Sequence, residues 1–352
     1  MTKLFLDGSK LLFHLDRVEE WSKGKEIYPL HIEISPSSGC NQRCILCCVD
    51  YKHHKPSTLS REILINLVGD LAENGVKSVL LAGEGEPLLN RNISEFIVKS
   101  FQKGIEVALN SNAVLLTEKL AKEILPCLTW ARFTIQSPFP EKYAKIHATS
   151  KDDFSKAVKN IKTAAEIKKN MNLEVTLGVQ QILVNENWSD IYENAKLSKE
   201  MGMDYFTVKR FSKHPKNTYD VPEDLYKKCK EQFKLCEELS DDTFNSVIRW
   251  NQFEEQCVRN YQKCIGLPFI TQILANGGIY PCCQYFDDDS KCFGNLNEQS
   301  FSEIWRGNKK REIIKFIENN VDVGKCMTYC RHHSTNLFLW QFLEPPAHIN
   351  FI

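Results

Sequence analysis

From residue 30 onward, short apolar runs alternate with longer segments whose apolar residues recur every three or four positions. The runs LHIEIS (30–35), KSVLLAG (77–83), IEVALNS (105–111), TWARFTIQ (129–136), LEVTLGVQQILV (173–184) and DYFTVKR (204–210) read as strands. They are bounded by Gly, Asn or Pro, as suits buried parallel strands. Between them, segments 60–74, 92–103, 117–125, 151–169 and 188–201 have helical periodicity. Alternating strands and helices predict a parallel α/β sheet with right-handed crossovers. Six units fall short of a closed eight-fold barrel, so the pattern predicts a partial (β/α)6 barrel over 30–250. Residues 1–29 precede it as a mixed, polar extension with a helical stretch, LLFHLDRVEEW.

The rhythm changes after about residue 250. FITQILANGGIYPCC sets Asn276-Gly277-Gly278 between apolar runs, a hairpin signal, and 300–319 reads as a helix. Strands and turns are short here, so 251–335 is predicted to be a separate small cysteine-rich module. The aromatic tail at 336–352, ending FLWQFLEPPAHINFI, is predicted to pack on the core, with a place over the barrel mouth or at an oligomer interface as alternatives.

Composition narrows the function classes. The 352 residues are 42% apolar, enough for a real core, and 45 basic residues balance 45 acidic ones. No whole-chain basic field exists, and no nucleic-acid partner is expected. With neither an apolar N-terminal leader nor a long apolar run, the expectation is a cytoplasmic protein that does not meet the membrane. Fourteen cysteines in such a chain point to metal ligation rather than disulfides. They concentrate at 40–48 and 264–330, leaving Cys127, Cys229, Cys236 and Cys257 scattered as structural residues.

The front group is Cys40-x3-Cys44-x2-Cys47, three thiolates for a four-iron cube. Three-cysteine ligation leaves one iron open, and an open position distinguishes a catalytic metal site from a structural one. Structural zinc, completed by Cys48 or a His, is the alternative; Cys48 is otherwise expected to be a buried, packed thiol. The spacing resembles the radical S-adenosylmethionine (SAM) family, in which the open iron binds the amine and carboxylate of SAM. Gly83-Glu84-Gly85-Glu86-Pro87 ends the second strand and resembles that family's GGEP motif, with Glu84 in place of the first Gly. The resemblance assigns this segment to the methionine amine, where small residues admit backbone and a carboxylate faces an ammonium. Asn110-Ser111-Asn112 resembles the family's TNG segment near the ribose, with Ala113 where Gly is usual. Arg132-x-Thr134-x-Gln136 resembles its R-x-S-x-D strand with Gln for the acid, and Gln180 on the fifth strand is a candidate for the ribose. A polar strand end is the plain alternative for each.

Lys209-Arg210 ends the sixth strand, where two cations suit a phosphate or carboxylate; Lys209 is a catalytic candidate. In the second group, Cys264, Cys282, Cys326 and Cys330 offer four thiolates, able to close a [4Fe–4S] cube completely, with structural zinc again the alternative. Their spacing, with GIYPC, FGNL and EIW, resembles the twitch form of the SPASM auxiliary domain. Cys283 is a candidate hydrogen-atom donor or a packed thiol, and Asp287-Asp288-Asp289 reads as a solvated loop.

The resemblance implies two [4Fe–4S] clusters, SAM as cofactor, and electrons from a reductase such as flavodoxin or ferredoxin. It implies a 5′-deoxyadenosyl radical that abstracts hydrogen from substrate. The expected substrate is a small carbohydrate-like molecule (a sugar, nucleotide-sugar or aminocyclitol), dehydrogenated or epimerised. The alternative is a peptide or protein maturase, for which the 29 residues before the first strand are too few to form the usual peptide-recognition domain. A non-enzymatic metal scaffold is the third reading, and it leaves the GEGEP carboxylate without a purpose.

Overall fold

The computed structural model describes residues 9–52, 56–253 and 258–351; His53, His54 and Cys257 lie outside them. Six strands fall within the predicted runs: β1 (His31–Ile34), β2 (Ser78–Leu81), β3 (Glu106–Ser111), β4 (Trp130–Thr134), β5 (Thr176–Leu183) and β6 (Tyr205–Arg210). They are joined by β7 (Asn245–Ile248), β8 (Ile270–Ile273), β9 (Gly278–Tyr280) and β10 (Gly294–Asn295). All lie in one sheet of order β10-β9-β8-β1-β2-β3-β4-β5-β6-β7. Strands β1 to β8 run parallel, while β9 returns antiparallel on β8 and β10 on β9. The sheet is therefore an open α/β barrel core extended by the C-terminal hairpin. β7 carried no sequence signal, because four residues in a polar stretch show no usable period.

The strand β8 pairs with β1 in register, from Ile270 opposite His31 to Ile273 opposite Ile34. The sheet thus runs across position 250–251, and a backbone ladder ties the cysteine-rich module to the barrel.

Five predicted helices form at Arg61–Glu73, Ile93–Gln102, Glu118–Ile124, Lys151–Asn170 and Ile191–Glu200. Ser60, Thr117 and Ser150 cap three of them by accepting from a first-turn amide. The helix expected at 300–319 is instead two, Phe301–Trp305 and Asn308–Asn320. The chain turns between them because Trp305 is buried, stacks on Phe301 and donates its indole N–H to Ile27 O at 2.8 Å. A helix at Pro140–His147, hidden in the loop-like SPFPEKY, proves important for the site.

Side-chain alternation decides what each strand shows to either side. Ile32, Val79, Val107, Phe133, Val179 and Val208 are fully buried and join one core against the helices. Burying such side chains contributes roughly 1.5–3 kcal/mol each. The opposite parity carries Glu33, Asn110, Arg132, Gln180 and Lys209, all of which line one cavity. A smaller core joins Leu11, Val18, Ile27 and Leu30 to Ile265, Phe269 and Leu339. Leu339 belongs to the helix His333–Leu343, so the tail packs on the core only through this helix; residues 344–351 are exposed. No helix among the described residues is long and apolar enough to cross a membrane.

Candidate active site

The carboxyl ends of the strands open into a cavity of about 1080 Å³. It is lined by Cys40, Cys44, Gly83, Gly85, Glu86, Asn110, Asn112, Arg132, Thr134, Gln180, Lys209, Cys283 and Cys330. Cys47, Glu84, Pro87, Cys264, Cys282 and Cys326 lie outside its lining. Cys48, expected to be buried, instead lines the cavity and is exposed there.

The cysteine loop follows β1 and is held from two sides. On one, Arg43 N–H and Ile45 N–H donate to His147 O and Ile146 O at 3.1 and 2.9 Å, docking the loop on the helix Pro140–His147. His147 stacks on Tyr143 with ring centroids 4.0 Å apart. Its Nε2 accepts from Gln136 N–H at 3.3 Å, which leaves Nδ1–H for Gln42 Oε1 at 2.8 Å; Cys44 Sγ lies 3.4 Å from the same nitrogen. Gln42 in turn donates to the Tyr143 hydroxyl at 2.9 Å. Burial pushes His147 down to about 3, so it orients the loop as a neutral ring. Gln136, expected at the barrel mouth, is buried and accepts from Ile182 N–H at 2.8 Å. Gln42, Tyr143 and His147 were missed from the sequence, since nothing local marks a helix that returns a hundred residues later.

On the other side, the GEGEP turn lies directly on the loop. Glu86 N–H donates to Gly39 O at 2.9 Å. A Cβ on Gly85 would stand 2.1 Å from that same oxygen, so only glycine fits. Gly83 has φ +110°, and a Cβ there would meet Ser35 Oγ at 1.9 Å. The Glu86 carboxylate accepts from Leu88 N–H, Ser111 Oγ and Asn112 N–H at 3.1, 2.7 and 2.9 Å. Burial pushes its carboxyl above the usual range, against these three donors. The second and third strand ends are thereby fastened together, and Asn112 Nδ2 reaches on to Asn41 Oδ1 at 2.8 Å. Ala113, where the resemblance expects Gly, adopts φ +63°, a left-handed conformation that costs an alanine about 1 kcal/mol. Arg132 donates to Gln180 Oε1 at 3.1 Å and stacks on Trp130 at 4.7 Å.

Glu84, in the same turn, is held by Lys52 and Ala275. Lys52 Nζ lies 2.5 Å from its carboxylate and 2.9 Å from Asp287, while Ala275 N–H donates to Glu84 at 2.9 Å. This bridge joins the cysteine loop, the second strand end and the C-terminal hairpin, and corrects the reading of Asp287 as merely solvated. Pro87 is buried at the start of the short turn Pro87–Leu89.

The second cysteine group is gathered by its own supports. Burial, and after it the neighbouring cysteines of this group, push the thiols of Cys264, Cys282 and Cys330 up, so the four residues lie close enough to disfavour one another's ionisation. Arg259 donates to the carbonyls of Val323, Cys326 and Met327 and thus shapes the loop bearing Cys326. Asn336 Oδ1 accepts from Ile265 and Gly266 N–H at 2.8 and 2.7 Å, and its Nδ2 lies 3.5 Å from Cys264 Sγ. Asn336→Ala strands two buried amides, about 1–3 kcal/mol each. The expected outcome is a lower Tm together with faster loss of roughly half of the iron, measured by calorimetry and iron assay on the reconstituted protein. Unchanged iron retention would deny this anchoring role.

The model of the radical SAM superfamily matches residues 34–179, and that of the iron–sulfur cluster-binding SPASM domain matches residues 264–332. The chain carries a radical SAM domain followed by a SPASM domain. This radical SAM protein is 20% identical over 315 residues to the tungsten-containing aldehyde ferredoxin oxidoreductase cofactor-modifying protein of Pyrococcus furiosus, covering 84% of this chain and 85% of that one. Its fold is shared with Streptococcus suis SuiB bound to precursor peptide SuiA (TM-score 0.66, 17% identity, 89% of this chain and 74% of that one). It is also shared with anSMEcpe bound to AdoMet and the Kp18Cys peptide (TM-score 0.58, 21% identity, 82% of this chain and 83% of that one).

SAM and [4Fe–4S] clusters are the cofactors of this radical SAM protein, and its residues fit them. Asn110 Oδ1 and Arg132 Nε are buried on the cavity wall without a partner, leaving an acceptor and a donor for a polar ligand. Burial pushes Cys44 and Cys264 up to about 12, so their thiolates form only against a positively charged core.

Proposed function

We propose that this protein cleaves SAM reductively and uses the radical to modify a peptide or protein side chain. One observation carries the reading: a single cavity has Cys40 and Cys44 on its wall together with Cys283 and Cys330 from the C-terminal module. Cys40, Cys44 and Cys47 would hold the cluster with an open iron, and Cys264, Cys282, Cys326 and Cys330 the fully ligated one. The first would supply the electron that cleaves SAM reductively, and the second would serve as an electron acceptor or relay near the substrate. Gly83, Gly85, Glu86, Asn110, Asn112, Arg132, Thr134 and Gln180 form the SAM end of the cavity.

Lys209 and Cys283 belong to the substrate end. Burial, then the facing Arg331, Arg132 and Arg249, push Lys209 down to about 8, within reach of a base's range. Cys283 lies 3.5 Å from Met327 Sδ. A reductase of the flavodoxin or ferredoxin type is the proposed electron source. The peptide-bound forms of SuiB and anSMEcpe favour a peptide substrate over the carbohydrate-like molecule expected from the sequence. Neither dehydrogenation nor epimerisation gains support from them.

The test uses reconstituted protein, SAM and dithionite, with a deuterated lysate of the source cells split into macromolecules and small molecules. Deuterium is expected in 5′-deoxyadenosine from the macromolecular fraction. Label arriving only from small molecules would overturn the peptide reading.

A further inference from the structure

On the side away from the SAM end, the cavity wall is built by β8. This strand lies beside β1, opposite β2, β3 and β4, and in the chain it falls between Cys264 and Cys282. Parity sets its two faces. Thr271 and Ile273 are fully buried, whereas Ile270 and Gln272 line the cavity.

Gln272 stands opposite Glu33 in the β1–β8 ladder, and its Nε2 donates to Glu33 Oε2 at 2.8 Å. That bond fixes which way round the amide lies. Glu33 pairs with Arg331, and His31 Nε2 lies 3.9 Å from it. Burial by itself would raise the Glu33 carboxyl, but Arg331 and His31 outweigh burial and hold it at about 2. Glu33 is therefore a carboxylate that only accepts, so the nitrogen of Gln272 faces it and the oxygen is turned away. Gln272 is 5% exposed, and its Oε1 has no hydrogen-bond partner among the described residues. Leaving a buried acceptor unpaired costs more than a typical formed bond gains, so such an atom on a cavity wall points to a ligand that donates. The Gln272 carbonyl is uncharged. It selects a neutral N–H or O–H by geometry, whatever the net charge of the cavity once SAM and the clusters are in place.

We infer that Gln272 is a substrate-binding residue: its side-chain oxygen accepts from a backbone N–H of the peptide substrate, and Glu33 and Arg331 hold it in that orientation. This rests on the peptide reading above and deepens it by naming a contact that the substrate makes.

The test is deuterium transfer by the reconstituted protein, with SAM, dithionite and increasing amounts of the deuterated macromolecular fraction. Q272M keeps the length of the side chain and removes the amide. The amount needed for half-maximal transfer is expected to rise about tenfold, with the maximal rate nearly unchanged. Q272E is the rescue. Beside ionised Glu33 its carboxyl keeps its proton, donates to Glu33 as the amide did and leaves the same acceptor free, so half-saturation should return close to wild type. Unchanged half-saturation in Q272M overturns the contact and leaves the peptide reading standing. Transfer from small molecules alone overturns both. A substitution on β8 can also loosen the wall, so iron content and SAM affinity are measured on each variant. Loss of either in Q272M and Q272E alike, without rescue, assigns Gln272 a structural role and overturns the inference. A second measurement uses the unmodified protein. N-methylacetamide is expected to inhibit transfer competitively, and N,N-dimethylacetamide, which lacks the N–H, is not; equal inhibition by the two, or by neither, counts against the contact.

Discussion

Replacing Cys40, Cys44 and Cys47 together by Ala is expected to abolish SAM cleavage and to lower the iron content from about eight to about four per chain. The loop is placed by its neighbours, not by metal alone: Arg43 and Ile45 dock on the helix Pro140–His147, and Gly39 O receives Glu86 N–H. The fold should therefore survive loss of the three thiols, and the remaining iron should belong to the C-terminal group. Iron assay and 5′-deoxyadenosine formation under dithionite check both halves. Retained cleavage would remove the central assignment. Iron falling to zero would instead show that the second group does not assemble by itself. Substituting Cys264, Cys282, Cys326 and Cys330 by Ala is the mirror experiment, expected to remove a similar share of iron.

The second large effect comes from one methyl group. In Gly85→Ala the new Cβ would stand 2.1 Å from Gly39 O and 2.7 Å from Gly39 C and Ser38 C. These are backbone atoms of the cysteine loop, so no side chain can swing aside. Either the loop or the turn must shift, and the Glu86 N–H to Gly39 O bond is strained or lost. A displacement near 1 Å between a reacting centre and its positioning group can cost about 100-fold in rate. A fall of that order in SAM cleavage is expected, with weaker SAM binding. Gly69→Ala is the control. It lies inside the helix Arg61–Glu73, where an added Cβ would meet nothing within 4 Å, and should stabilise the protein by roughly 0.5–1 kcal/mol. Wild-type cleavage in Gly85→Ala would show that the close contact of turn and loop does not matter.

Much of this site is legible because its parts are local. A cysteine triad within eight positions and a GEGEP turn at a strand end each announce themselves in a few residues. The supports are not local. Gln42 meets Tyr143 and His147 across about a hundred positions, Lys52 meets Asp287, and Asn336 meets Cys264. A single Gln, Lys or Asn has no motif, so its partner becomes visible only when the chain is folded. The missed helix Pro140–His147 shows the same limit: eight residues beginning in a proline-rich loop offer too short a period to detect.

By itself the sequence determined the strands β1 to β6, the helices between them, and the order in which the chemistry arrives. These depend on near neighbours: apolar period, capping residues and cysteine spacing. Only the tertiary structure decided that β8 lies beside β1, that Glu84 pairs with Lys52, and that Lys209, Arg249 and Arg331 line one cavity. Those outcomes follow from strand register and side-chain parity. A one-residue slip would turn Lys209 and Arg132 away from the cavity while changing nothing in the local pattern.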